Sequence, residues 1–137
     1  MHITMDVPLY HLIYSSLLAD DAHPTCVADI IRTSRANNAL HGITGLLVFD
    51  GGRFCQYIEG PEEAVRRLSD TICVDSRHEQ FMVLHEGAIE GGRLFSEWAM
   101  GYALSLDEGI LPGLALLRGA PAVSTLQGLI PSLDMEP

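Results

Sequence analysis

A chain of 137 residues, 47% hydrophobic and 19% charged, fits one globular domain with a single core. The formal net charge is −10, and all eight basic side chains are arginines without a basic cluster, which argues against nucleic acid as a direct partner. No apolar run approaches the roughly 18–20 residues of a membrane span, and Met1-His2-Ile3-Thr4 has neither part of a secretion signal, so the expected compartment is the cytoplasm.

Residues 9–16 read as a strand with Tyr10, Leu12 and Tyr14 on one face. Pro24 suits the opening of a helix over about 24–39. On that helix Val27, Ile31, Ser34 and Asn38 fall at i, i+4, i+7 and i+11, so Asn38 continues the stripe that should face a sheet. Asn37 falls near the same face, with Ile30 and Ser34. Two asparagines before His41-Gly42 also suit a plain helix end. Residues 42–50 are apolar on both faces, as a central strand should be, and Asp50-Gly51-Gly52 is a hairpin turn.

The next strand, 53–59, carries the least expected residue. Phe54, Gln56 and Ile58 share one face, while Arg53, Cys55, Tyr57 and Glu59 share the other. A primary amide is thereby aimed between two large apolar side chains, where leaving its hydrogen bonds unmade costs roughly a few kcal/mol. Either the core satisfies it or a ligand does.

A helix over 61–74 opens on Gly60-Pro61-Glu62-Glu63, with carboxylates at the positive end of its dipole. Strands at 80–89 and 97–105 follow. In the second of these Trp98, Met100, Tyr102 and Leu104 alternate with Ala99, Gly101 and Ala103. Ser105-Leu106-Asp107-Glu108 has the form of a capping box, with Ile110, Leu111, Leu114 and Leu117 at helical spacing; Pro112 then belongs in the first turn. Leu126, Leu129, Ile130 and Leu133 suggest a second short helix.

The order βαββαβ predicts a ferredoxin-like α+β fold with a fifth strand and two helices on one sheet face. The nearly uncharged tail is expected to cover the other face and also to meet a subunit or partner. The domain division is 9–105 for the sheet domain and 106–137 for the C-terminal helical cap.

Enzyme motifs are scarce. There is no P-loop, dinucleotide fingerprint, zincin motif or nucleophile elbow, and His85-Glu86 lacks a second histidine, so neither catalysis nor a metal is expected. Cys26, Cys55 and Cys73 lack C-x-x-C spacing and read as small hydrophobes. Asp75-Ser76-Arg77-His78 is an ordinary exit loop or a ligand cluster: Arg77 is a fixed cation beside a carboxylate and an imidazole, at the mouth of the helix-covered face.

Six segments together resemble the BLUF family, blue-light sensors that use flavin. They are Leu12-Ile13-Tyr14-Ser15-Ser16, Ser34-Arg35-Ala36-Asn37-Asn38, Gly42-Ile43-Thr44-Gly45-Leu46-Leu47, Phe54-Cys55-Gln56-Tyr57-Ile58-Glu59-Gly60, Asp75-Ser76-Arg77-His78 and Arg93-Leu94-Phe95-Ser96-Glu97-Trp98-Ala99-Met100. They run in order over about residues 9–104, and Gly91-Gly92 lengthens the hairpin before Arg93 by about one residue relative to the family spacing. Each segment is weak alone; the ordered set is specific.

The resemblance implies FAD held non-covalently, with its ring between the two helices on the sheet. By position, Tyr14 matches the redox-active tyrosine and Gln56 the switching glutamine. Asn38 matches the amide at the flavin edge, with Asn37 beside it; Ile30 and Ser34 lie on the same helix face. Asp75, Arg77 and His78 match positions near the flavin's other carbonyl and its ribityl chain. Trp98 and Met100 match the relay residues of the fifth strand. The implied function is a photoreceptor, not an enzyme: light drives electron and proton transfer from the tyrosine, the glutamine hydrogen bond rearranges, and the signal passes to a homo-oligomer or a separate protein effector. Two rivals share the fold. One is a small hydrolase of the acylphosphatase kind, for which no glycine-rich cradle lies beside an arginine. The other is a colourless binding module whose core amides satisfy one another.

Overall fold

The computed structural model describes residues 8–96, 98–105, 107 and 109–136. Its elements in chain order are β1 (Leu9–Leu18), α1 (Cys26–His41), β2 (Thr44–Phe49), β3 (Arg53–Pro61), α2 (Glu62–Cys73), β4 (His78–Ala88), β5 (Gly101–Leu104), α3 (Ile110–Leu114), α4 (Ala120–Leu129), a 3-10 turn at Ile130–Ser132 and β6 (Asp134–Glu136). The strands form one sheet in the order β4-β1-β3-β2-β5-β6. The first four have the ferredoxin-like arrangement; β5 then joins β2 in parallel.

β3 occupies the middle because both of its faces are apolar: Phe54 to Gly60 are all buried. Alternation sends its side chains to two different cores. Phe54 and Ile58 join Tyr10, Leu12, Tyr14, Val27, Ile30 and Val65 beneath α1 and α2. Cys55 and Tyr57 join Ile13, Leu46, Leu111, Leu114, Ala122 and Leu126 beneath α3 and α4. The single core expected from chain length is therefore divided by the sheet, because the tail folds back and covers the second face.

α1 ends where Gly42 takes φ 70°, a conformation that suits glycine, and both Gly42 and Ile43 donate their backbone N–H to the Asn38 carbonyl.

Three expectations shift. The strand placed at 97–105 begins only at Gly101. The preceding carbonyls are taken elsewhere: Trp98 O by Gly45 N–H (3.0 Å), Ala99 O by Asn38 Nδ2 (2.8 Å) and Met100 O by Arg35 Nε (3.0 Å). Trp98 and Met100 thus do not share a face by strand alternation. The capping box does not cap. α3 starts after Gly109, and Ser105 Oγ instead donates to the Asp107 carbonyl, while Leu106 and Glu108 of that motif lie outside the described residues. Lastly, the second tail helix stops at Leu129. The chain turns at Pro131, and β6 pairs antiparallel with β5, a sixth strand with no apolar alternation to announce it.

Candidate functional site

Between α1, α2 and the sheet lies a cleft of about 460 Å³. Apolar walls come from Ile30 on α1, Leu68 and Ile72 on α2, and Ile43 before β2. Its floor contains the two residues singled out on the strands, Tyr14 and Gln56. They are cross-strand partners on β1 and β3, and alternation points both toward the helices. The Tyr14 hydroxyl donates to Gln56 Oε1 at 2.5 Å. The other end of the amide, Nε2, donates to Met100 Sδ at 3.4 Å. Gln56 is therefore satisfied within the core, strongly at one end and by a weak sulfur acceptor at the other.

Tyr14 is fully buried, and its ring lies 4.8 Å from that of Phe81. Burial pushes its phenol pKa well above the ordinary tyrosine range, with Cys55 and Asp75 adding to the shift, so the hydroxyl keeps its proton.

At the mouth Arg77 and Asp75 form a two-pronged ion pair, with Arg77 Nη2 at 2.5 Å from Asp75 Oδ2 and Arg77 Nε at 3.0 Å from Oδ1. Hydrogen bonds from the guanidinium hold the Asp75 carboxyl below its usual pKa and raise that of Arg77. His78, the first residue of β4, shares a hydrogen bond with Ser16 Oγ at 2.8 Å and packs on Phe54. Its burial lowers the imidazole pKa below 6.5, keeping the ring neutral. All three residues line the cleft.

Of the α1 residues, Ile30, Ser34 and Asn37 line the cleft. Asn38 is buried beside it rather than among its lining residues, with Nδ2 bonded to Ala99 O. Its Oδ1 has no hydrogen-bond partner among the described residues, a buried acceptor awaiting a donor. The expected relay pair is split. Met100 packs with the cleft-side core and touches Gln56, whereas Trp98 packs with the far-side core, its ring stacked on Phe95 at 5.7 Å.

Sequence reasoning missed Thr33, His41, Arg67 and Thr71, which also line the cleft. Thr71 follows Leu68 and Ile72 around α2, so the apolar stripe of that helix was the available signal. It also missed a buried polar group on the far face: Glu59, which accepts hydrogen bonds from Thr44, Tyr57 and the Leu94 and Phe95 backbone.

An amide held between a phenol and a thioether at the floor of an apolar cleft, with an unpaired acceptor alongside, suits a largely apolar ligand that carries hydrogen-bonding groups at one edge. Among the described residues no group of His, Cys, Asp and Glu could hold a metal, and no helix is long and apolar enough to cross a membrane.

Known proteins share this architecture. The solved dark-state structure of BlrB, a BLUF protein, superposes with a TM-score of 0.76 at 31% identity, covering 90% of this chain and 95% of that one. The BlsA ground state gives 0.75 at 25% identity, covering 88% and 86%. By sequence, the chain is 37% identical over 67 residues to the blue light- and temperature-regulated antirepressor BluF of Escherichia coli (strain K12), 49% of this chain and 17% of the relative. It is 30% identical over 131 residues to the photoactivated adenylate cyclase subunit beta of Euglena gracilis, 94% of this chain and 15% of the relative. The chain thus spans less than a fifth of these curated relatives. The BLUF family model matches residues 9–101, and the chain belongs to that family, the sensors of blue light using FAD.

Proposed function

We propose that this blue-light sensor works through Tyr14 and Gln56, and that its output is taken up by a separate protein. The carrying observation is the hydrogen bond from the buried Tyr14 hydroxyl to Gln56 Oε1 at the cleft floor. Bound FAD supplies the light-absorbing, reducible ring. Ile30, Ser34 and Asn37 on α1, with Asp75, Arg77 and His78 at the mouth, are the residues that hold it, and the unpaired Asn38 Oδ1 offers an acceptor at its edge.

The chain's own residues provide a two-state element. Tyr14 holds a proton at Oη against Gln56 Oε1, in a site where burial opposes the free phenolate. Any loss of an electron from the phenol releases that proton toward the amide oxygen. The Gln56 amide donates its other end to Met100 sulfur, a weak acceptor, so its orientation rests on the one strong bond to Tyr14. Exchanging its donor and acceptor ends, by rotation or by tautomerisation, rewrites the bonds to Tyr14, to Met100 and to whatever occupies the cleft. Met100 then carries the change toward β5.

The tail is the proposed output surface. Its buried leucines, Leu111, Leu114 and Leu126, cover the far sheet face, while Leu116 stands 84% exposed. This supports a contact with a second copy or a protein effector. The relatives' names span an antirepressor and adenylate cyclases. For this chain we infer a cytoplasmic sensor without catalysis of its own and without direct nucleic-acid or membrane contact.

The test is an absorption spectrum of the FAD-loaded protein before and after a blue flash. A small red shift that relaxes in the dark is expected. A flavin spectrum that does not shift would overturn the Tyr14–Gln56 switch.

A further inference from the structure

The segment joining β4 to β5 has no regular secondary structure among its described residues, yet it delivers Met100 to Gln56. Its far end is tied down by Gly45, Asn38 and Arg35, which bind the Trp98, Ala99 and Met100 carbonyls in turn. At its near end stands Glu59, fully buried on the opposite side of the sheet from the cleft. Glu59 Oε1 accepts from Leu94 N–H (2.8 Å) and the Tyr57 hydroxyl (3.3 Å). Oε2 accepts from Phe95 N–H (2.7 Å) and the Thr44 hydroxyl (3.0 Å). Arg93 closes the cluster, reaching Thr44 Oγ1 (2.9 Å), the Glu59 carbonyl (3.3 Å) and the Gly42 carbonyl (2.8 Å).

An ionised carboxylate has about four acceptor sites, and here each faces a donor. Burying such a group is costly unless it is fully hydrogen-bonded. A fold needing only shape at this position would be served by an apolar side chain. What Glu59 adds is grip on two consecutive backbone amides of an otherwise irregular segment. Five residues after Phe95 that segment reaches Met100.

We infer that Glu59 is a positioning residue for the light response: its four-donor clamp fixes the β4–β5 connection so that Met100 meets the Gln56 amide. The inference rests on the switch proposed above. Glu59 touches neither the cleft nor Gln56; it acts through its hold on Leu94 and Phe95.

The test compares the parent with Glu59→Gln in the FAD-loaded protein. The amide keeps the size of the side chain but turns one acceptor into a donor facing donors. Hydrogen exchange at the Leu94 and Phe95 amides in the dark is expected to accelerate on the order of tenfold. Flavin content should match the parent, whereas dark recovery after a flash should change severalfold. A side chain that merely stabilised the fold would lower the melting temperature and leave the recovery rate of the folded, flavin-loaded fraction alone. Thr44→Val removes one donor isosterically; it should give a smaller change of the same sign, and it serves as the test if Glu59→Gln fails to fold. Unchanged protection of Leu94 and Phe95 would overturn the clamp. Faster exchange with an unchanged recovery rate would overturn the positioning role. A parent protein that binds FAD but shows no shift would overturn the switch and this inference together, and would do so before any substitution is made.

Discussion

Tyr14 and Gln56 are direct cross-strand partners on β1 and β3, and the hydroxyl of one donates to the amide oxygen of the other at 2.5 Å. The strand register alone fixes this pairing, so the two groups meet without any contribution from a loop. A one-residue slip of either strand would send that strand's side chain to the far core and part the pair.

Tyr14→Phe removes the hydroxyl and keeps the ring packed on Phe81. Flavin content should match the parent, and the light-induced shift should vanish. Gln56→Leu should likewise fold and bind flavin but show no shift, at a cost of about 1–3 kcal/mol for leaving the Tyr14 hydroxyl unpaired. A normal red shift in either variant, read by flash absorption, would remove that residue from the switch.

Asn38 joins α1 to the segment before β5 through its bond to Ala99 O. Asn38→Ala strands that carbonyl and should cost about 1–3 kcal/mol by thermal or urea unfolding. It also removes the unpaired Oδ1, so affinity for FAD should fall. Titration of FAD into Asn38→Ala checks this, and unaltered affinity would free Asn38 from cofactor binding.

Gly101 lies under the indole of Trp98: a Cβ there would come within 2.7 Å of Trp98 Cε3. Gly101→Ala should displace the ring and cost about 1–3 kcal/mol as an overpacked site. Trp98 is the sole tryptophan, so its fluorescence spectrum reports the displacement directly. An unshifted spectrum with parental stability would mean that the segment yields without strain.

Acid should weaken the fold as the pH falls through about 6.5 and below. His78, and His11 on β1 beside the Tyr57 hydroxyl, have folded pKa values lowered from 6.5 chiefly by burial, against the opposing pull of Asp75 and Glu59 respectively. Below pH 6.5 the unfolded chain takes up protons that the folded chain refuses, so the stability present above pH 6.5 is lost as pH falls toward the folded values. The melting temperature should drop over this range, and His78→Gln should flatten part of the slope. A flat parental profile would contradict the burial of both rings.

Much of the cleft was legible because period-two alternation leaves little choice. Gln56 and Tyr14 were misplaced polar groups on apolar strand faces, and the structure puts them side by side. Asp75, Arg77 and His78 were legible as polar groups at a helix exit, two of them charged. The segment before β5 was not. Its backbone bonds go to Arg35, Asn38 and Glu59, residues far away in sequence, and no periodicity records such ties. Alternation therefore misplaced Trp98 with Met100. β6 escaped for a related reason, since three residues paired to a short strand need no pattern of their own. A single core was expected because length speaks to volume and not to how a sheet partitions it.

That partition has a consequence for signalling. Gln56 and Tyr57 are consecutive residues, yet one faces the cleft and the other belongs to the core shared with α3 and α4. Besides the path through Met100, the proposed switch therefore has a second path toward the tail, a single peptide unit through the thickness of β3. Thermodynamic coupling runs both ways. If light alters how the tail packs, then whatever grips the tail must equally alter the energy of the lit state. A bound effector would announce itself in the colour of the flavin and the pace of its return to darkness.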